Sequence, residues 1–164
     1  MEPDTQPLNR YRPLIVILGI LLLGSMAIAL ARSETFFHPF MNAFMGLFFL
    51  VFSMFKFFDL EGFANGFQKY DLIAKTKRSY ALQYPFLELI LGLLYLSESA
   101  PIATNIATLL LMSISAAGVI TSMAKGYKFQ CACLGTTLNV PLSTVTIIEN
   151  VGMGLMALVM LLTL

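Results

Sequence analysis

Apolar positions in this chain run in long, nearly unbroken stretches that short polar segments separate. Five such stretches can be drawn, at residues 13–31, 39–58, 81–97, 102–124 and 141–164. An α-helix needs about 20 apolar residues to cross the hydrocarbon core of a bilayer. A closed barrel would need short strands of alternating polarity, which the sequence lacks. The pattern therefore predicts an all-α integral membrane protein, a bundle of four to five transmembrane helices.

The first and third stretches leave the number of helices open. The third is short for a spanning helix and has Pro85 near its start, so it either tilts or inserts only in part. The first follows Arg10 and Arg12 and ends in a small-residue motif, as a signal peptide does. Its apolar run is long for a signal peptide, which favours a retained helix. We assign residues 1–12 to a polar N-terminal tail and residues 13–164 to a single transmembrane domain.

Composition narrows the class of protein. Of the 164 residues, 58% are hydrophobic and only 12% are charged, about half the usual share for a soluble domain. The net charge of +1 gives no indication of nucleic-acid binding, and the bilayer is the expected surrounding. Two cysteines are too few for a disulfide framework.

Basic residues predict the orientation, because cytoplasmic loops carry the excess of Lys and Arg. If all five stretches cross, only Arg32 lies on the outer side, and the N-terminus is cytoplasmic. Cys131 and Cys133 then face the cytoplasm, but they move to the other side if the third stretch does not cross. The inner basic residues are Arg10, Arg12, Lys56, Lys69, Lys75, Lys77, Arg78, Lys125 and Lys128.

The only cysteines of the chain, Cys131 and Cys133, lie one residue apart between the last two apolar stretches. Residues two apart point the same way in an extended backbone but not on a helix, which favours a loop or re-entrant turn. Gly135 would supply an unusual backbone angle there. The pair suits reversible disulfide formation, because a strained disulfide is easily reduced. It also suits a soft metal ion such as Cu(I) or Hg(II). Two ordinary buried cysteines are the third interpretation.

Two carboxylates, Glu88 and Glu149, lie within apolar stretches, where a charge is costly and indicates function by default. Glu88 comes about one turn into the third stretch and Glu149 about two turns into the last. Lys56, at the inner end of the second stretch, is their candidate partner. The group is either a structural ion pair that locks helices together or a site that handles protons or gates a metal ion.

An aromatic connector follows Lys56, with the sequence KFFDLEGFANGFQKYDL. Lys56 and Asp59 are three apart, so they share a helical face and can pair. The aromatic rings suggest a segment in the interface plane, at headgroup level, where it could contact a quinone or a partner protein. Periodicity alone indicates a plain amphipathic connector.

Four strings in order resemble one family of membrane proteins. They are KFFDLEGFANGFQKYDLIA, YPFLELILGLLYL, YKFQCACLG and PLSTVTIIENVGMG, between residues 56 and 154. Together they resemble the proteins related to the methylamine-utilisation protein MauE, a family grouped with the DoxX-like membrane proteins. The positions that carry the resemblance are Lys56, Asp59, Tyr70, Pro85, Glu88, Gly92, Cys131, Cys133, Gly135, Glu149 and Asn150.

The resemblance implies a bacterial inner-membrane protein of four or five helices that is tied to thiol redox chemistry. MauE itself is implicated in making methylamine dehydrogenase, a periplasmic enzyme whose small subunit is rich in disulfides. We therefore expect a thiol-disulfide oxidoreductase in which Cys131 and Cys133 react with a partner protein and support its maturation. Supporting roles fall to Lys56, Asp59, Tyr70, Glu88, Gly135, Glu149 and Asn150.

Two other functions remain open from the sequence. The first is a membrane protein that binds or transports a soft metal ion of the copper or mercury type, with Cys131 and Cys133 as ligands. The second is an assembly factor without catalytic activity, in which the cysteines are incidental. No cofactor is evident, and the candidates are a quinone and a soft metal ion.

Overall fold

The computed structural model describes residues 7–32, 35–125 and 142–163, and these ranges contain helices and no strands. The helices are α1 (Pro7–Ala31), α2 (Phe37–Phe58), α3 (Leu60–Phe67), α4 (Arg78–Leu96), α5 (Pro101–Ala124) and α6 (Leu142–Thr163).

All these helices except the short α3 are long and apolar enough to cross a membrane. The spans are Arg12–Ala31, Phe37–Phe58, Arg78–Leu96, Pro101–Ala124 and Thr146–Thr163. The third apolar stretch belongs to α4, whose 19 residues give a length of about 28 Å, close to the thickness of the hydrocarbon core. The prediction of an all-α integral membrane protein is confirmed.

Several helix bounds differ from those drawn on the sequence. Helix α1 begins at Pro7, so it extends into the segment predicted as a polar tail. Helix α4 begins at Arg78, three residues before the predicted start. Its first turn is polar and was therefore not recognised as helical. Glu88 therefore lies nearly three turns into its helix, and the predicted single turn was wrong. Glu149 lies about two turns into α6, as predicted.

Helix α2 occupies the centre of the bundle and contacts α1, α3, α4 and α6. Its contact with α4 is especially close at two glycines. A Cβ on Gly92 would lie 3.0 Å from the carbonyl oxygen of Gly46, and one on Gly46 would lie 3.1 Å from that of Gly92. Small residues of this kind let helix backbones approach in membrane proteins. The α2–α4 contact is therefore fixed by backbone proximity.

Large apolar side chains point outward along the spanning helices, as a lipid surface requires. Examples on α1 and α5 are Ile20 and Leu23, and Ile106 and Leu110, all of which are exposed. The interior side is aromatic and apolar, with Phe49 and other phenylalanines of α2 in its core. The surface of the bundle thus matches a hydrocarbon solvent rather than water.

Helix α3 and residues 68–77 cover one end of the bundle, which we call the connector end. A Cβ on Gly118 of α5 would lie 2.7 Å from the carbonyl oxygen of Tyr70, so the connector rests directly on α5. Phe63, Phe67 and Tyr70 are buried in one cluster with Tyr84 of α4. The rings therefore pack against protein rather than face outward. Whether they lie at headgroup level stays a prediction.

The opposite end of the bundle, which we call the hairpin end, carries the tight turn between α4 and α5. Helix α5 begins at Pro101, because proline is favoured in the first turn of a helix. Glu98 and Ala100 in the turn have φ values of 53° and 48°. The Glu98 carboxylate forms an exposed ion pair with Arg32, which follows α1. This pair joins the α1–α2 and α4–α5 connections.

Candidate functional site

A buried ion pair between Lys56 of α2 and Glu88 of α4 forms the centre of the candidate site. The Lys56 ammonium group donates hydrogen bonds to both carboxylate oxygens of Glu88. Both side chains are almost completely buried. A buried charge is tolerated only when it is paired, which explains why these two residues meet.

Aromatic rings surround the ammonium group. The Lys56 Nζ lies 5.3 Å from the ring centroid of Phe63 and 5.1 Å from that of Tyr84. Both distances are within the range of a cation–π interaction. The faces of these rings and the Glu88 carboxylate therefore stabilise the positive charge from several sides.

A small cavity of about 20 Å³ lies beside the ion pair, enough for about one water molecule. Helices α5 and α6 contribute polar groups to its wall. The Asn150 side-chain nitrogen donates a hydrogen bond of 3.1 Å to the Ser115 hydroxyl oxygen. The predicted residues that line this cavity are Lys56, Tyr70, Glu88, Glu149 and Asn150. Residues from the first and the last of the four strings that resemble MauE, such as Lys56 and Asn150, thus meet at one interior site.

The predicted thiols, Cys131 and Cys133, and Gly135 lie outside the described residues. The segment that carries them joins α5 to α6. At the end of α5, the Ser122 hydroxyl donates to the carbonyl oxygen of Tyr70 at 3.3 Å, so α5 ends at the connector end. On α6, Thr146 lines the cavity that also contains the ion pair. The two helices that flank the cysteine segment are therefore both part of the cavity wall.

Asp59 has a structural position at the start of α3. Its carboxylate oxygen Oδ1 accepts a hydrogen bond of 2.9 Å from the Gly62 backbone N–H. This is the usual role of an aspartate at a helix N-cap, where it satisfies an otherwise unpaired N–H group. Lys56, which was its predicted partner, forms its ion pair with Glu88.

Asp71 is a further buried carboxylate that the sequence interpretation missed. Its Oδ1 accepts hydrogen bonds of 2.9 Å from the backbone N–H groups of Ile73 and Ala74. Burial raises the pKa of Asp71, and these two hydrogen bonds and the charge of Lys75 oppose the rise. Aspartate side chains often accept hydrogen bonds from backbone N–H groups two or three residues further along the chain. The position of Asp71 near the end of the aromatic connector could therefore have indicated this turn.

The aromatic surroundings of the ion pair were also missed, although the sequence contains a signal for them. Phe52 and Lys56 are four residues apart on α2, and Tyr84 and Glu88 are four apart on α4. Residues at this spacing lie on the same helical face. The faces that carry the charges therefore also carry the rings.

The arrangement can hold a charge pair and about one water molecule in a low-dielectric interior. Among residues 7–32, 35–125 and 142–163, no group of three or more His, Cys, Asp or Glu side chains could hold a metal ion. The Lys56–Glu88 pair and the polar groups of the cavity can transfer a proton, or they can hold the helices together.

Comparison with known proteins gives one family. The family model described as "Methylamine utilisation protein MauE" matches residues 34–163. No curated protein and no solved structure matches the chain. The matched range contains α2 to α6 in full, together with the cavity and the cysteine segment, and α1 precedes it.

Proposed function

The chain belongs to the MauE family of membrane proteins, and on this premise we propose that it is a thiol-disulfide oxidoreductase of the bacterial inner membrane. Cys131 and Cys133 would cycle between dithiol and disulfide and support the maturation of a partner protein. One observation carries the proposal. The helices on either side of the cysteine segment, α5 and α6, line the same buried cavity as the Lys56–Glu88 ion pair.

The reaction is a thiol-disulfide exchange. A thiolate of the partner attacks one sulfur of the Cys131–Cys133 disulfide, and a mixed disulfide forms. The second partner thiolate attacks this bond, which leaves an oxidised partner and a reduced Cys131–Cys133 pair. Two electrons pass from the partner to this protein, and reversing the two steps reduces the partner instead.

The cavity supports the proton side of this reaction. Each thiol that forms a thiolate releases a proton, and only the thiolate is a nucleophile. The wall of the cavity contains two carboxylates, Glu88 and Glu149, and the Lys56 ammonium group. These groups can accept or return protons without contact with bulk water.

The separation of charges between the two ends supports an N-terminus in the cytoplasm. Lys69, Lys75, Lys77 and Arg78 belong to the connector end or its border with α4. Arg32 belongs to the hairpin end, where it is paired with Glu98. With five crossings, the cysteine segment is on the cytoplasmic side, and the partner would react there.

The test is labelling of Cys131 and Cys133 in intact cells with a membrane-impermeant maleimide, with and without prior reduction. We expect labelling only after lysis, because the pair faces the cytoplasm. Prior reduction should increase the labelling, because the pair is oxidised in the cell. Lysed cells and a Cys131→Ser/Cys133→Ser variant serve as controls. Labelling from outside would reverse the orientation and make an exported protein the partner.

A trapping experiment tests the exchange itself. In a Cys131→Ser or Cys133→Ser variant, the remaining thiolate can attack a disulfide of the oxidised partner and form a mixed disulfide, which releases one partner thiolate. The second cysteine that would resolve this bond is missing, so the attached partner can be identified by mass spectrometry. If reduction never changes the labelling and a soft metal ion copurifies with the chain, metal binding replaces the redox proposal. Full activity of the double variant would leave the thiols without a role.

A further inference from the structure

We propose that the groove between α5 and α6 binds a membrane quinone, with the quinone ring beside Asn150. The role of the quinone as an electron acceptor rests on the proposed redox function. Its binding to the groove does not depend on the thiols. Exposed apolar side chains of α6, such as Val151 and Leu155, border the groove on the outer surface of the bundle. The groove has a volume of about 260 Å³. This is slightly below the range of about 300–1,000 Å³ for small-molecule sites and suits a single ring with the start of its chain.

The walls of the groove are mostly apolar, but two polar groups interrupt them. Val151, Leu155 and Leu158 of α6 provide the apolar side. Asn150 and Ser113 provide an amide and a hydroxyl group. A hydrocarbon chain alone would gain nothing from these groups. Ring carbonyls could accept hydrogen bonds from the Ser113 hydroxyl and from the second N–H of Asn150, since the first is donated to Ser115.

The depth of these polar groups favours a quinone over a phospholipid. At the helical rise of 1.5 Å per residue, Ser113 lies about 16 Å from the nearer end of its span, and Asn150 lies about 6 Å inside the span Thr146–Thr163. Phospholipid headgroups stay at the membrane surface. The small, uncharged ring of a quinone can enter the apolar region and bring its carbonyl groups to this depth.

Asn150 also separates the groove from the interior. It lines both the groove and the cavity that contains Lys56 and Glu88, and Met112 does the same. The Asn150 amide is hydrogen-bonded to Ser115 on the interior side, which fixes its orientation. A ring in the groove would therefore lie one side chain away from the buried carboxylates.

This position agrees with the balance of the proposed redox function. Oxidation of the Cys131–Cys133 dithiol to a disulfide releases two electrons and two protons. Reduction of a quinone to a quinol consumes the same numbers. A membrane quinone is therefore the class of electron acceptor that would return the reduced cysteine pair to the disulfide.

Gly154 offers a way to close the groove without disturbing the helices. A Cβ on Gly154 would lie 3.7 Å from Met112 Cβ and 3.9 Å from Leu109 Cδ1, which are ordinary contacts. The missing side chain leaves space in the groove, and a leucine would fill it. Gly152 lies on the same helix, and a Cβ there would have no atom within 4 Å, so this residue provides the matched control.

The experiment is binding of decylubiquinone to the purified full-length protein in nanodiscs, followed by photo-crosslinking with an azidoquinone and peptide mapping. We expect crosslinks in α5 and α6 near Asn150. Gly154→Leu should weaken binding about tenfold or more, whereas Gly152→Leu should leave it unchanged. Asn150→Leu should weaken binding while the elution profile of the protein stays the same.

A matched ligand and a matched variant separate the outcomes. Decylbenzene has the same chain without carbonyl groups and should not compete. Equal competition by decylbenzene, or equal effects of Gly154→Leu and Gly152→Leu, would overturn the proposal. Binding should persist in the Cys131→Ser/Cys133→Ser variant, so failure of the thiol proposal and failure of the quinone site are distinguishable.

Discussion

Two ion pairs that join distant segments of the chain, Lys56–Glu88 in the interior and Arg32–Glu98 at the hairpin end, have completely different surroundings. Lys56 and Glu88 have side chains that are each 5% exposed. Arg32 and Glu98 have side chains that are 48% and 40% exposed. The first pair lies among aromatic rings inside the protein, and the second lies where water and salt can reach it.

The comparison teaches that the same kind of contact has different consequences in the two places. An exposed ion pair contributes about 0–1 kcal/mol, because water and salt compete with it. A buried pair adds little when it is intact, but loss of one partner leaves an uncompensated charge in the interior. The buried pair is therefore the position where single substitutions are most damaging and where a role in chemistry is easiest to confuse with a role in folding.

The largest effect is expected for Glu88→Leu. The Lys56 charge remains buried without its partner, and the free energy of unfolding should fall by about 3–5 kcal/mol. The measurement is an SDS titration of the purified protein in mixed micelles, followed by circular dichroism. A loss below about 1 kcal/mol, the range of an exposed pair, would mean that Lys56 finds another partner.

The double variant Lys56→Met/Glu88→Leu sharpens this test. Apolar side chains of similar volume can replace a buried pair at little cost or with a gain in stability. We expect stability to return close to that of the unmodified protein. Glu88→Leu should also lose thiol exchange. If the double variant regains exchange together with stability, the pair only holds the helices together. If it regains stability alone, the pair takes part in proton transfer.

An intermediate effect is expected at the glycine contact between α2 and α4. In Gly92→Ala the new Cβ meets backbone atoms, with the Gly46 carbonyl oxygen at 3.0 Å and the Leu50 nitrogen at 3.1 Å. These atoms cannot rotate away, so α2 and α4 must separate, and we expect a loss of about 1–3 kcal/mol in the same titration. Gly19→Ala, where a Cβ has no atom within 4 Å, is the control and should show no loss.

The smallest effect is expected for Arg32→Ala at the hairpin end. We expect a loss of at most about 1 kcal/mol, which decreases further as salt is raised. A double-mutant cycle with Glu98→Ala measures the coupling of the pair directly. A coupling as large as that of Lys56 and Glu88 would remove the contrast between the two pairs.

The sequence predicted those features that the membrane itself dictates. Long apolar stretches must become helices in a bilayer, and the helical class is confirmed. A lysine and a glutamate at membrane depth must find partners, and Lys56 and Glu88 do pair. The roles of Cys131 and Cys133 stay predictions.

The features that depend on packing between distant segments were harder to predict. The rings of Phe63, Phe67 and Tyr70 share a face of the connector, which the spacing indicates. Spacing cannot tell whether that face covers lipid or protein, and here it covers α4 and α5. The depth of Glu88 within α4 was misjudged for a related reason, because polar residues at the start of the helix resemble a loop.

During synthesis, Lys56 on α2 is made before its partner Glu88 on α4. Glu88 follows Lys56 by 32 residues, which the ribosome adds in about 2–6 s at 5–20 residues per second. Until α4 is made, the long side chain of Lys56, close to the end of α2, can extend its ammonium group toward the membrane surface. Insertion of α4 then brings Glu88 to this charge, so the ion pair can form before α5 and α6 are made and close the cavity around it.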